Sequence, residues 1–192
     1  AGPAGGSEDV GAGRWSAYRV VHLERYADGA TKTPGHDPAQ SLAVTPTDDV
    51  PALAGFWSGE DLQVRSKLGA FHDDTAHRQA WEERQRDKVR ILNALQHERL
   101  LPNGMTENLA TVPTMTTELC HAIHLYLART PSYLVLANLE DGLGELSQTN
   151  LPGTIDSHPN WTRKYSIPVD HMLHDERLRQ LGAVLRSTRP LG

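Results

Sequence analysis

Asp48 and Asp49 stand side by side in the stretch TPTDDVPALAGFW, directly after the short apolar run Ser41–Thr45. In α/β folds, functional groups gather at the carboxyl ends of strands, so an acidic pair in this place can do chemistry. The same pair just before Pro51 can equally cap the next helix. One carboxylate would then accept backbone N–H groups, with both favoured by the helix dipole. Two other places share the position: His22, Glu24 and Arg25 after a first β-rich run, and Glu140–Asp141 after a third. Capping is an alternative for Glu140–Asp141 too.

A further set of side chains lies in SQTNLPGTIDSHPNWTRKYSIP, residues 147–168, which carries Asn150, Asn160, Trp161, Arg163 and Lys164. A flat apolar ring beside amides and guanidinium groups suits a sugar, whose ring face stacks while its hydroxyls donate and accept. The alternative is that Trp161 only plugs the end of a fold. His121 and His124 have a spacing that can bind metal on a helix, but they lack an obvious third ligand, and Cys120 is expected to point away from them. Cys120 sits among apolar helical residues and reads as a buried structural thiol. The sequence contains no GxGxxG, no phosphate loop and no GxSxG elbow.

The elements that must position these groups follow from the apolar patterning. Ala17–Arg25, Ser41–Thr45 and Ser132–Glu140 are short, continuous apolar runs, which predicts parallel strands covered on both faces. Pro51 opens a helix that presents Leu53, Phe56 and Trp57. Thr75–Leu101 predicts a long amphipathic helix with an apolar stripe of Trp81, Val89, Leu92, Leu95 and Leu100, its Glu and Arg residues forming a solvated face. Thr114–Thr130 predicts another, with Leu119, Ile123, Tyr126 and Leu127 inward. Val169–Thr188 predicts a last one, capped by Asp170. Strand–helix alternation of this kind predicts an α/β fold.

Composition bounds the rest. With 192 residues, one domain of ordinary size is expected. A net charge of −5 with no basic stripe argues against a nucleic-acid partner. The absence of a long apolar segment argues against a membrane one, and a single cysteine fits a reducing, cytoplasmic setting. Residues 1–15, small and glycine-rich, are expected to be disordered, with no signal-peptide character.

Three segments, in order, resemble the amylomaltase family, the 4-α-glucanotransferases of the α-amylase superfamily. YRVVHLER is similar to the family's sixth barrel strand, and SLAVTPTDDVPALAGFWSGEDL to its seventh strand and following helix. YLARTPSYLVLANLEDGLGELSQTNLPGTIDSHPNWTRKYSIP resembles the eighth strand and the closing Asn-x-Pro-Gly-Thr…Asn-Trp-x-Arg-Lys loop. The resemblance implies that residues 16–192 form the carboxyl-terminal part, about strands six to eight, of a (β/α)8 TIM-type barrel. It implies retaining transfer of α-1,4-glucan segments between maltodextrins, with no metal or organic cofactor. It makes Asp49 the third carboxylate, which stabilises the transition state. Asp48, Asn150, Asn160, Trp161 and Arg163 would then shape the glucan site.

The sequence departs from the family pattern in two ways. Asp48 stands where the family has His, and an ionised Asp accepts hydrogen bonds but cannot donate them. Retention also needs a nucleophile and an acid/base about 5–5.5 Å apart. The family's fourth- and fifth-strand motifs that supply them have no clear counterpart here. Arg84, Arg86 and Asp87 fall inside a helical pattern. Glu8 in SEDVG echoes the acid/base motif but stands too close to the first strand. The expectation is therefore either an enzyme of this family, or an incomplete piece that binds maltodextrin or completes a split enzyme. In either case a protein partner or self-association would cover exposed sheet edges.

Overall fold

The computed structural model describes residues 17–20 and 39–189. The expectations for residues 1–15, including Glu8, and for His22, Glu24 and Arg25 lie outside the described residues. Strands β1 (Ala17–Val20), β2 (Ser41–Val44) and β3 (Leu134–Leu136) form a parallel sheet in the order β1-β2-β3. The register aligns Ala17 with Ser41 and Leu42 with Leu134. Between β2 and β3 lie helices α1 (Leu53–Ser58), α2 (Glu60–Lys67), α3 (Asp74–His97) and α4 (Thr117–Ala128). After β3 come α5 (Leu139–Leu143), α6 (Val169–Met172) and α7 (Glu176–Thr188). The fold is α/β, as strand–helix alternation predicts. Among the described residues no helix is long and apolar enough to cross a membrane.

The core joins α1, α3 and α4. Leu53, Phe56 and Trp57 pack against Ile91, Leu92 and Leu95, and against Leu119, Ile123 and Tyr126. The inward stripe expected of α4 is buried in full, Leu127 included. Trp57 satisfies its indole by donating to the Val112 carbonyl at 2.9 Å. Side chains set the helix starts: Asp73 accepts from Ala76 N–H to open α3, and Thr116 accepts from Leu119 N–H to open α4.

Four expectations are corrected. The last helix is two helices, and the longer is capped by Asp175, which accepts from the N–H groups of Arg177 and Leu178, not by Asp170. The charged side of α3 is not wholly solvated, since Arg84 and Lys88 are buried and continue the stripe of Ile91, Leu92 and Leu95 by one helical repeat. Trp81 and Val89, placed in that stripe by their apolarity, are only half-buried. Finally, coverage on both faces holds for β2 but not for β3. Leu134 and Leu136 are 44% and 50% exposed, because β3 is a sheet edge with one face open.

Arg84 can be buried because each of its charges is met. Its guanidinium donates to both carboxylate oxygens of Asp61, at 2.8 and 2.7 Å, and to the Phe56 carbonyl at 2.7 Å. It also lies 4.1 Å from the centre of the Phe56 ring. Removing one partner strands a buried charge, whereas removing both does not. Arg84→Met is therefore expected to destabilise the fold by about 3–5 kcal/mol, with much of the loss recovered in Arg84→Met/Asp61→Leu. Urea unfolding of the two variants measures this, and an equal loss in both would refute it.

Candidate active site

The segment between β2 and α1 leaves the sheet at Thr45 and turns at once. Val50 N–H donates to the Thr47 carbonyl at 3.1 Å, and Asp48 and Asp49 stand exposed at the tip. Neither caps α1. The N-cap position of that helix is Ala52, which offers no side-chain acceptor. The first helical N–H, of Leu53, instead donates to Asp141 Oδ1 at 2.7 Å, across 88 residues of sequence. The capping alternative for the acidic pair is thereby overturned. Asp141 proves to cap, but it caps α1 and not its own helix.

Asp141 is buried among polar partners. Thr45 Oγ1 donates to its Oδ2 at 2.5 Å, and His124 Nε2 faces the same oxygen at 3.6 Å with both side chains fully buried. Burial pushes the Asp141 carboxyl up from its ordinary range, opposed by His124, Thr45 and the Leu53 N–H. On the other side of the ring, His124 Nδ1 donates to the Cys120 carbonyl at 2.9 Å. Cys120 does not point away from the histidine as expected. Its Sγ lies 3.6 Å from His124 Nδ1 and 3.5 Å from the Asp141 carbonyl. His121, by contrast, is half-exposed and lines a cavity of about 480 Å³ that reaches Cys120 and Asp141 but not His124, so the two histidines do not converge.

The loop at residues 147–168 is braced internally. Thr154 N–H donates to the Leu151 carbonyl at 3.2 Å, closing a Pro152-Gly153 turn in which Gly153 adopts φ +83°, as a type II turn requires. Asn160 spans the same turn. It accepts from Leu151 N–H at 2.9 Å and donates to the Thr154 carbonyl and hydroxyl at 3.1 and 2.9 Å. Asn160 thus shapes the site by holding the loop closed. The foot of the loop packs on α1 at Gly55, where a Cβ would stand 2.1 Å from the Leu146 carbonyl.

This loop meets the acidic tip. Asn150 Nδ2 donates to Asp49 Oδ1 at 2.6 Å, joining residues 101 apart, and Asn150 N–H donates to the Asp48 carbonyl at 3.3 Å. Trp161 N–H donates to the Thr149 carbonyl at 3.0 Å. Asp48 and Trp161 line one cavity of about 310 Å³ with Glu140 and Tyr165. Arg163 and Lys164 line another of about 220 Å³, which shares Ser147, Thr149 and Tyr165 with the first. The two cavities adjoin at those three residues, and Asp48, the chain neighbour of Asp49, lines the first. Sequence reasoning missed Tyr165 and gave Glu140 only a position. The Tyr165 hydroxyl donates to Glu140 Oε1 at 3.2 Å, and burial followed by the Glu140 charge raises the phenol above its usual range. The aromatic at 165, four residues after Trp161 in the same polar loop, was the available signal.

Trp161 is 64% exposed, yet its backbone sits at φ +60°, a left-handed conformation that few large residues adopt. That conformation costs about 1–2 kcal/mol relative to glycine. Trp161→Gly is expected to be more stable than Trp161→Ala by about 1 kcal/mol. Equal melting midpoints for the two would show that the strain is not there.

Burial, and then the Asp141 charge, push the Cys120 thiol from 9.0 up to about 12. On the order of one thiol in 10⁴ is then ionised at pH 8, so a disulfide reagent should react with the folded chain only as fast as it opens. The stabilising effect of keeping the thiol neutral is complete below pH 9 and is lost as the pH rises towards 12. Cys120→Ala should remove that part of the alkaline stability loss. Rapid labelling of the folded chain at pH 8 would contradict this.

The sequence model of the family described as 4-alpha-glucanotransferase matches residues 11–170. The 4-alpha-glucanotransferase of Haemophilus influenzae is 33% identical over 142 residues, 74% of this chain and 20% of that protein. That of Mycobacterium tuberculosis is 30% identical over 152 residues, 76% of this chain and 20% of that protein. The crystal structure of amylomaltase from Corynebacterium glutamicum matches with a TM-score of 0.78 at 23% identity, covering 88% of this chain and 25% of that chain. At that identity the likeness speaks for the fold alone. The chain spans about a fifth of the length of the curated relatives it matches. With the family's pattern running from residue 11 to residue 170, the chain belongs to the 4-alpha-glucanotransferase family.

Proposed function

We propose that this chain supplies the glucan-holding, carboxyl-terminal side of a 4-α-glucanotransferase site, residues 16–192 forming the last three strands of a (β/α)8 barrel with their helices. Three parallel strands adjacent in chain order, with helices between the second and third and loops gathered at their carboxyl ends, support the barrel reading. The exposed Leu134 and Leu136 on the edge strand suit a face covered by further strands or by a partner. The single buried thiol suits a cytoplasmic setting.

The observation that carries the proposal is the Asp49–Asn150 bond, which joins the acidic tip to the loop whose Trp161 and Arg163 line two adjoining cavities. Asp49 is the third carboxylate. With Oδ1 held by Asn150, its other oxygen faces outward to accept hydroxyls of the ring at the reacting bond, more strongly as positive charge develops there. Trp161 offers a flat face for stacking, and Arg163 and Lys164 donate to hydroxyls in the adjoining cavity. Retaining transfer of an α-1,4-glucan segment also needs a nucleophile and an acid/base, neither of which is assigned to a described residue.

The test is to incubate the chain with maltotriose, following glucose and longer oligomers as products and binding by calorimetry. Glucose and longer products would establish transfer. Binding without products would favour the second reading, a glucan-binding piece completed by a partner. In either case Asp49→Ala and Asn150→Ala are expected to weaken maltotriose binding by at least about tenfold. Binding unchanged in both variants would overturn the proposal.

A further inference from the structure

One carboxylate holds both ends of the segment that carries Asp48 and Asp49. Thr45, the last residue before that segment, donates its hydroxyl to Asp141 Oδ2 at 2.5 Å. Leu53, the first helical residue after it, donates its N–H to Asp141 Oδ1 at 2.7 Å. A third tie comes from the same stretch of chain, where Asn138 Nδ2 donates to the Pro46 carbonyl at 3.5 Å. Residues 46–52 therefore form a short loop whose two feet rest on a single side chain from the next β–α connection. That side chain is itself fully buried and backed by the buried ring of His124. Between the feet, the Asn138–Pro46 bond, the Thr47–Val50 turn and the bonds to Asn150 fix the tip.

We infer that Asp141 is a positioning residue for Asp49: by clamping Thr45 and Leu53 together it sets the height and direction of the acidic tip, so that Asp49 meets Asn150. This deepens the reading of Asp49 given above and rests on it for its meaning in function. The clamp itself is a statement about geometry, testable without sugar. It acts at a distance and does not require Asp141 to touch a glucan. A short, rigid loop transmits such a constraint because a displacement of about 1 Å at either foot moves the tip by as much, enough to break a hydrogen bond.

Two kinds of substitution separate positioning from mere support. Asp141→Leu removes both acceptors and leaves the Thr45 hydroxyl and the Leu53 N–H without partners. Asp141→Asn keeps both contacts in neutral form, since its carbonyl accepts from Leu53 and its amide donates to Thr45. Thr45→Val cuts one foot with little change of volume, and Thr45→Ser restores it. Arg84→Met serves as a destabilised comparator that loosens α1 at Phe56 without touching either foot of the loop. The readout is the Asn150 side-chain amide resonance in the free protein, with Asp49→Ala marking its position when unbonded.

Asp141→Leu and Thr45→Val are expected to move that resonance most of the way to the Asp49→Ala position. Asp141→Asn, Thr45→Ser and Arg84→Met should leave it in place. If Asp141→Leu does not fold, Thr45→Val decides. A resonance unmoved in Thr45→Val, or moved equally in Arg84→Met, overturns the inference. Where the wild-type chain binds maltotriose, Thr45→Val should weaken it about tenfold, and should cost nothing further in the Asp49→Ala background. Where it binds none, the functional proposal fails on its own, and the amide resonance still decides the clamp.

Discussion

Asp141 is buried with its carboxyl end-on to a strand terminus, a helix start and an imidazole, and taking such a group out of water costs several kcal/mol unless donors replace the water. Here they do. The Thr45 hydroxyl and the Leu53 N–H each bond one oxygen, and His124 stands against the second. Both donors would themselves be orphans without Asp141, since α1 has no side-chain cap of its own. The arrangement satisfies the carboxyl, the hydroxyl and the N–H at once and so ties the end of β2 and the start of α1 to α5, with His124 of α4 packed against the carboxyl. Losing Asp141 leaves the Thr45 hydroxyl and the Leu53 N–H desolvated and unpaired together, so the carboxyl is the member on which the network depends.

A second buried charge does the same on the far side of the core. Arg84 ties the middle of α3 to α1 through the Phe56 carbonyl, and to α2 through Asp61. Lys88, one turn on, lies 5.6 Å from the centre of the Trp57 ring, its amine lowered in pKa by burial and then by Arg84. Between the two networks the α1 turn holding Phe56 and Trp57 is gripped from both sides. The loop foot at Leu146, seated on Gly55 of the same helix, inherits that rigidity. The loop that lines both cavities is thus seated on a helix held from both sides.

How much of this was legible in the sequence differs by residue. The parallel strands, the inward face of α4 and the residues of the acidic tip and closing loop follow from patterning or from family motifs. The burial of Arg84 and Lys88 does not, because a charged residue reads as exposed until its partners are known, and Asp61 and Phe56 are distant in sequence. The same holds for Asp141. An acid before a short helix reads as that helix's own cap, and nothing local reveals that its donors lie 88 and 96 residues earlier. The open face of β3 escaped for a related reason. Its leucines look like core because apolar identity cannot say which neighbours are present to cover them.

The two acidic positions at the tip also part company once the structural load is assigned to Asp141. Freed from capping, Asp48 and Asp49 are exposed carboxylates whose contacts point to the loop, and Asn150 binds each differently: its side chain holds Asp49, its backbone holds Asp48. The Asp48 side chain is left facing the cavity shared with Trp161 and Tyr165. An ionised carboxylate there can accept a hydrogen bond but has none to donate. Hydrogen-bond donors stand instead on Arg163 and Lys164, in the adjoining cavity that shares Ser147, Thr149 and Tyr165 with the first.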